Sequence, residues 1–314
     1  MTSMNRILVG YDGSACADET VGLVMSLGLP SDTIVRVITA VPTERELRSA
    51  WGRLIVGAAS VLVRELSIQA EQALDPVRQR LSDAGLSTDT SVVSGRPPQV
   101  LVEEARRSQA TLVAVGSRGL GPIASTLVGS VSAEVVDNAP CPVLVGRSRL
   151  IRKILFATDG SRHAEAAEQV LASLPIARQV PVRIVSVAQV IRPLAVGIAP
   201  RMDRGLHARQ AEHEAEPRTA HAEIAASSVT RMGSYGIDAS AELRAGDSAG
   251  ELLAAAHAFE ADLIVVGSRG QTGLRRLVLG SVARRVLHYS SASVLIVRAE
   301  TAVTRPLDQP RDIA

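Results

Sequence analysis

A glycine frame occurs twice in this chain with the same internal spacing. Gly116-x-x-Gly119 is followed after nine residues by Gly129-Ser130, and Gly267-x-x-Gly270 is followed after nine by Gly280-Ser281. Each frame ends an apolar run, Leu-Val-Ala-Val at 112–115 and Leu-Ile-Val-Val at 263–266. Each leads into a helix-like segment that begins at Ser130 or Ser281. A strand that breaks into a glycine loop and then feeds a helix N-terminus is a phosphate cradle. Glycine lets backbone N–H groups approach an anion, and the helix terminus adds unpaired donors and a favourable dipole. One frame alone is weak evidence; two copies in the same context demand a duplicated strand–loop–helix fold.

The duplication extends well beyond the glycines. Arg6–Ser14 matches Lys153–Ser161, each ending in Asp-Gly-Ser. Val35–Val41 matches Val182–Ala188, Ser91–Gly95 matches Ala241–Gly246, and Cys141–Val145 matches Ser293–Val297. With the strand before each glycine loop, each half offers five short strands. Between them lie helical patterns: Ala15–Leu27 and Ala164–Leu174, the long stretches Ser49–Ala84 and Asp203–Met232, and Pro98–Arg107 and Ser248–Phe259. Pro76 and Pro217 fall inside the long stretches and are expected to kink or split them. Alternating strands and helices predict an α/β fold with a parallel sheet in each half.

A chain of 314 residues is long enough for two domains of ordinary size. The expected division is 1–147 and 148–300, with a loose, polar, proline-bearing tail over 301–314. Arg192–Arg204, rich in Pro, Gly and Arg, reads as a mobile loop, and Trp51 falls in the corresponding loop of the first half. Hydrophobic residues make up 46% of the chain and aromatics only 2%, so the cores are built from aliphatic side chains, which suits parallel sheets covered on both faces.

Composition also excludes partners. A formal charge of +2 gives no electrostatic case for nucleic acid or an anionic membrane, and stacking platforms are missing. The longest apolar run, Leu54–Val63, is too short to span a bilayer. Two cysteines, Cys16 and Cys141, give no disulfide framework and read as small buried hydrophobes. With no signal-peptide pattern before the strand at Ile7, the expected location is cytoplasmic.

The pairing of an early strand ending in Asp-Gly-Ser with a later Gly-x-x-Gly-x9-Gly-Ser resembles the universal stress protein family. The match is to its ATP-binding branch, in the tandem two-domain form common in actinobacteria, and it covers residues 4 to 298. The resemblance implies a flavodoxin-like strand order, 3-2-1-4-5, in each half, the halves forming a pseudo-twofold pair with their fifth strands adjacent. Ligands in open α/β sheets bind beyond the carboxyl ends of the strands at the switch in strand order, where Asp12 meets Gly116 and Asp159 meets Gly267. Gly116, Gly119 and Gly129, with the N–H groups of Ser130 and Val131, are expected to wrap the phosphates. Gly267, Gly270, Gly280, Ser281 and Val282 do the same in the second half.

By the same resemblance, Asp12 and Asp159 reach the ribose hydroxyls or the adenine edge, although either Asp alone would read as a turn residue or helix cap. The backbone of Ala40 and Val187 matches where the family binds adenine. Arg118 and Arg269 either pair with phosphate or face solvent. Arg275 and Arg276 lie in the second loop only, so the two sites are expected to differ. His207, His213 and His221 share a polar helical stretch and are expected to face water.

No Gly-Lys-Ser/Thr occurs in the glycine frames, so a P-loop NTPase is excluded. No acid–base pair can be nominated for hydrolysis, and no carboxylate cage accompanies the divalent cation, Mg²⁺, expected with a triphosphate. The reading is therefore an ATP-binding stress regulator whose nucleotide state a protein partner reads. Its alternative is a slow ATPase or nucleotidyl-transfer enzyme using the same pocket. A homodimer of the whole chain is a further assembly that this reading admits.

Overall fold

The apolar runs become strands, and the computed structural model orders all of them into one sheet. It describes residues 5–51, 58–119, 128–189, 204–270 and 279–299, with side chains described except at 50–51 and 204–217. In the first half the elements are β1 (Arg6–Gly10), α1 (Ala15–Met25), β2 (Ile34–Val41), α2 (Glu44–Trp51), α3 (Ala59–Asp83), β3 (Ser87–Ser94), α4 (Pro97–Arg107), β4 (Leu112–Gly116), α5 (Ser130–Asn138) and β5 (Val143–Gly146). In the second they are β6 (Ile154–Ala157), α6 (Arg162–Ser173), β7 (Val182–Ala188), α7 (Arg204–Ser234), β8 (Ala239–Ala245), α8 (Ser248–Phe259), β9 (Leu263–Gly267), α9 (Ser281–Tyr289) and β10 (Ser293–Val297).

The sheet runs β3-β2-β1-β4-β5-β10-β9-β6-β7-β8, which is the expected 3-2-1-4-5 order followed by its mirror. Within each half every pairing is parallel. The central strands are buried on both faces, which explains why they read as continuous aliphatic runs rather than as alternating ones. One core layer, including Val9, Leu74, Leu144, Phe156 and Leu295, lies under α1, α3, α6 and α7. The other, including Leu8, Val115, Val135, Val266 and Val286, lies under α4, α5, α8 and α9. Both layers draw residues from both halves.

Local chemistry sets the element ends. Ser14 and Ser161 cap α1 and α6 by accepting from the N–H groups of Ala17 and Ala164. Gly85 and Gly236 stop the long helices at φ +79° and +74°, where a side chain would be strained. Pro76 does not split its helix: α3 runs through it, because Leu74, Val77 and Leu81 keep one face buried around the lost hydrogen bond. Likewise α7 continues through Pro217.

Trp51 is not in a loop but ends α2, whose start is fixed by a capping box. The Thr43 N–H donates to Glu46 Oε2 at 2.8 Å and the Glu46 N–H to Thr43 Oγ1 at 3.2 Å. The expected tail and all of the expected mobile loop except Arg204, which opens α7, lie outside the described residues.

The halves join at their fifth strands. β5 and β10 pair antiparallel with Val145 opposite Val294, Leu144 opposite Leu295 and Val143 opposite Ile296. An arginine crosses from each side of this seam. Arg147 donates from Nη2 to the Leu287 carbonyl at 2.6 Å and from Nη1 to the Ala292 carbonyl at 3.1 Å. In the opposite direction Arg298 Nη2 donates to the Val136 carbonyl at 2.7 Å and to that of Asp137. Each cation thus sits at the C-terminal end of a helix from the other half, where unpaired carbonyls and the dipole favour positive charge.

Candidate functional site

The strand order brings β1 beside β4 and β6 beside β9, so the Asp-Gly-Ser turn of each half faces its glycine loop. The two turns are built alike. The Ser14 N–H donates to Asp12 Oδ1 at 3.0 Å, and the Ser161 N–H donates to Asp159 Oδ1 at 3.0 Å. Ser14 Oγ then donates to the Arg118 carbonyl at 3.4 Å, and Ser161 Oγ to that of Arg269 at 3.3 Å. One carboxylate oxygen therefore holds the turn, as a turn residue would. The other faces the glycine loop: a Cβ built on Gly119 falls 2.4 Å from Asp12 Oδ2, and one on Gly270 falls 2.6 Å from Asp159 Oδ2. Turn former and ligand candidate are two oxygens of the same side chain.

The remaining frame glycines have separate steric duties. A Cβ on Gly267 meets the His163 carbonyl carbon at 2.7 Å and the Ala164 nitrogen at 2.9 Å, and on Gly116 the equivalent main-chain atoms at 3.1 and 3.2 Å. These glycines let the loop pass over the start of α6 or α1. The N–H groups of Gly129 and Gly280 donate inward, to the Ser117 carbonyl at 2.7 Å and the Ser268 carbonyl at 2.8 Å. The donors left for an anion are those of the first helical turns, at Ser130 and Val131 and at Ser281 and Val282. Both serines are exposed at their helix starts. Ser132 Oγ donates to the Gly116 carbonyl at 2.6 Å and ties α5 to the end of β4.

In the second half these pieces enclose a cavity of about 450 Å³ whose walls include Asp159, Val187, Arg269, Gly270, Ser281 and Val282. That is within the size range of small-molecule sites. Ala40, the first-half counterpart of Val187, occupies the same place near the end of β2 and is half-buried. The two loop arginines differ: Arg118 is exposed, whereas Arg269 is half-buried on the cavity wall. Arg118 also lies within electrostatic reach of the seam. Burial pulls the Arg147 guanidinium down to about 10, and the nearby Arg118 charge pushes in the same direction. Arg275, Arg276 and residues 120–127 lie outside the described residues, as do the side chains of His207 and His213.

His221 does not simply face water. It lies on the cavity wall, half-buried, with Nδ1 at 2.8 Å from Ser186 Oγ. A signal for it existed in the repeat. Aligning the long helices on Gly85 and Gly236 sets His221 opposite Ala70, a buried position, so a histidine there faces inward. Cys141 is buried as expected, and burial lifts its thiol to about 12, so it is inert. Cys16 is half-buried. Among the described residues no group of three or more His, Cys, Asp or Glu is arranged to hold a metal ion, and no helix is long and apolar enough to cross a membrane.

Comparison with known proteins bears on the whole chain. The sequence model of the universal stress protein family matches residues 4–147 and again residues 150–298. Universal stress protein Rv2005c of Mycobacterium tuberculosis is 27% identical over 305 residues, covering 93% of this chain and 96% of its own length. Universal stress protein Sll1388 of Synechocystis is 27% identical over 147 residues, 45% of this chain and 96% of its own. Among solved structures, a universal stress protein from Archaeoglobus fulgidus superposes with a TM-score of 0.65 at 19% identity, covering 95% of this chain and all of its own. That last likeness concerns the fold.

Proposed function

The chain belongs to the universal stress protein family, and we propose that it is an adenine-nucleotide binder whose two halves each hold one ATP. One observation carries the reading: in both halves a carboxylate oxygen faces a loop glycine, and the same glycine loop leads into a helix N-terminus. An anion suits the helix start, and a sugar hydroxyl suits the carboxylate. In this reading the phosphates lie on the first turns of α5 and α9, where Arg118 and Arg269 add charge. Asp12 and Asp159 receive the ribose. The main chain of Ala40 and Val187 receives the adenine edge.

Mg²⁺ binds such a ligand largely through phosphate oxygens and waters, so a site without a carboxylate cage among the described residues is compatible with it. The protein's own contribution is to bind and orient: the turn holds Asp12 and Asp159, and the glycines keep the loops close. A protein partner then reads whether the loops are occupied.

The test is to purify the full chain without added nucleotide, denature it in acid and separate the extract by nucleotide chromatography. Adenine nucleotide in the extract, or its uptake on incubation, is the expected result; the absence of both would sink the proposal. Sustained hydrolysis at about 1 per second or faster would instead make the chain an enzyme.

A further inference from the structure

Resting on the reading of a nucleotide in the second half, we propose that His221 is a specificity-determining contact of that site. Its role is to hydrogen-bond the nucleoside part of the ligand. At the matching position the first half carries Ala70.

The sheet lays out the pocket in order. β9 carries the phosphate loop, β6 carries Asp159, and β7 lies on the far side of β6. Neighbouring strands are about 4.8 Å apart, so β7 stands about 10 Å from the phosphate loop, roughly the reach from a nucleotide's phosphates to its base. His221 is bonded to Ser186 of β7 and lines the same cavity as Val187, so it stands at the nucleoside end.

The ring is fixed there. The Ser186 hydroxyl is fully buried and engages Nδ1 at 2.8 Å. Among the described residues it is the ring's only hydrogen-bond partner, which leaves Nε2 for a ligand. A histidine held by one nitrogen presents the other in a set direction, as donor or acceptor according to tautomer.

In the first half the corner is closed differently. Ala70 stands where His221 does, and Tyr11 stands where Thr158 does. Tyr11 is buried, and its hydroxyl donates to Asp18 Oδ1 at 3.3 Å. Thr39, in the place of Ser186, gives its hydroxyl to the Tyr11 carbonyl at 2.8 Å. The two sites therefore share a phosphate cradle but differ at the base.

The test uses the full chain carrying Gly119→Asp, which silences the first site, with and without His221→Ala. ATP and inorganic tripolyphosphate are titrated into both by calorimetry. The expected result is an ATP affinity about tenfold weaker, the value of one hydrogen bond, with tripolyphosphate affinity unchanged. Unchanged ATP affinity would overturn the assignment. So would equal weakening of both ligands, which is what a merely structural histidine would give. If the Gly119→Asp chain itself binds no ATP at its second half, the nucleotide reading fails and this inference falls with it.

Discussion

A methyl group on Gly267 would meet main chain, whereas one on Gly270 would meet a carboxylate. At Gly267 the obstacles are the His163 carbonyl and the Ala164 nitrogen, which belong to the start of α6 and cannot swing aside. At Gly270 the obstacle is Asp159 Oδ2, the far end of a side chain that can rotate away. Gly267→Ala is therefore expected to lower stability by about 1–3 kcal/mol, as overpacking does, with a lower melting temperature. Gly270→Ala is expected to leave the melting temperature nearly unchanged and to weaken nucleotide binding, because it displaces the carboxylate proposed to receive the ribose. Thermal denaturation and calorimetry on the two variants check this; equal loss of stability in both would contradict it. At this scale the sequence was legible where a residue type has one physical use. Glycines that admit close backbone approach and the Asp-Gly-Ser turns stood out. His221 did not, because a histidine within a polar helical stretch gives no sign of its direction until the repeat is aligned through Gly85 and Gly236.

Among the elements, strands were easy to read and helix boundaries were not. Buried parallel strands appear as short aliphatic runs, whereas the edge strands β3 and β8 are polar and half-exposed and were legible through the repeat. The region after β2 was read as a helical stretch from Ser49, kinked or split at Pro76, yet it holds α2 from Glu44 and a separate α3. The missed signal was the capping box Thr43-x-x-Glu46, which begins a helix before the hydrophobic periodicity does. Pro76 misled in the other direction, since packing of the buried face outweighs the local break. Pro76 is itself exposed. Pro76→Ala is expected to restore the missing hydrogen bond and raise the melting temperature, by an amount on the order of 1 kcal/mol. A lower melting temperature would mean that the proline's restriction of the unfolded chain matters more than the hydrogen bond it removes.

Across the whole molecule, the seam decides how the halves behave. Pairing the apolar fifth strands makes one continuous sheet and removes two exposed edges. Leu144 and Leu295 are directly opposed and each is only 1% exposed. A lysine at either would therefore bury a charge in the shared core instead of loosening a surface contact. The crossed arginines give a finer probe. Arg147→Ala and Arg298→Ala each leave helix carbonyls without their donor, and each is expected to cost about 1–3 kcal/mol. Combined, they are expected to split one calorimetric unfolding transition into two, since the two halves keep separate glycine frames but lose their mutual caps. A double variant that still unfolds in a single, unshifted transition would show that strand pairing alone couples the halves. The same crossing reaches the glycine loops, because α5 and α9 each begin just after a glycine loop and end at the other half's arginine.

The claim that both halves bind adenine nucleotide through their glycine frames is tested most directly by stoichiometry. ATP is titrated calorimetrically into the full chain and into the Gly119→Asp and Gly270→Asp variants. Each substitution sets a side chain and a negative charge against the phosphates, in the space already bounded by Asp12 or Asp159. Two sites are expected in the parent chain and one in each variant, with the surviving site in Gly119→Asp being the one beside His221. Two undiminished sites in both variants, or none in the parent, would contradict it.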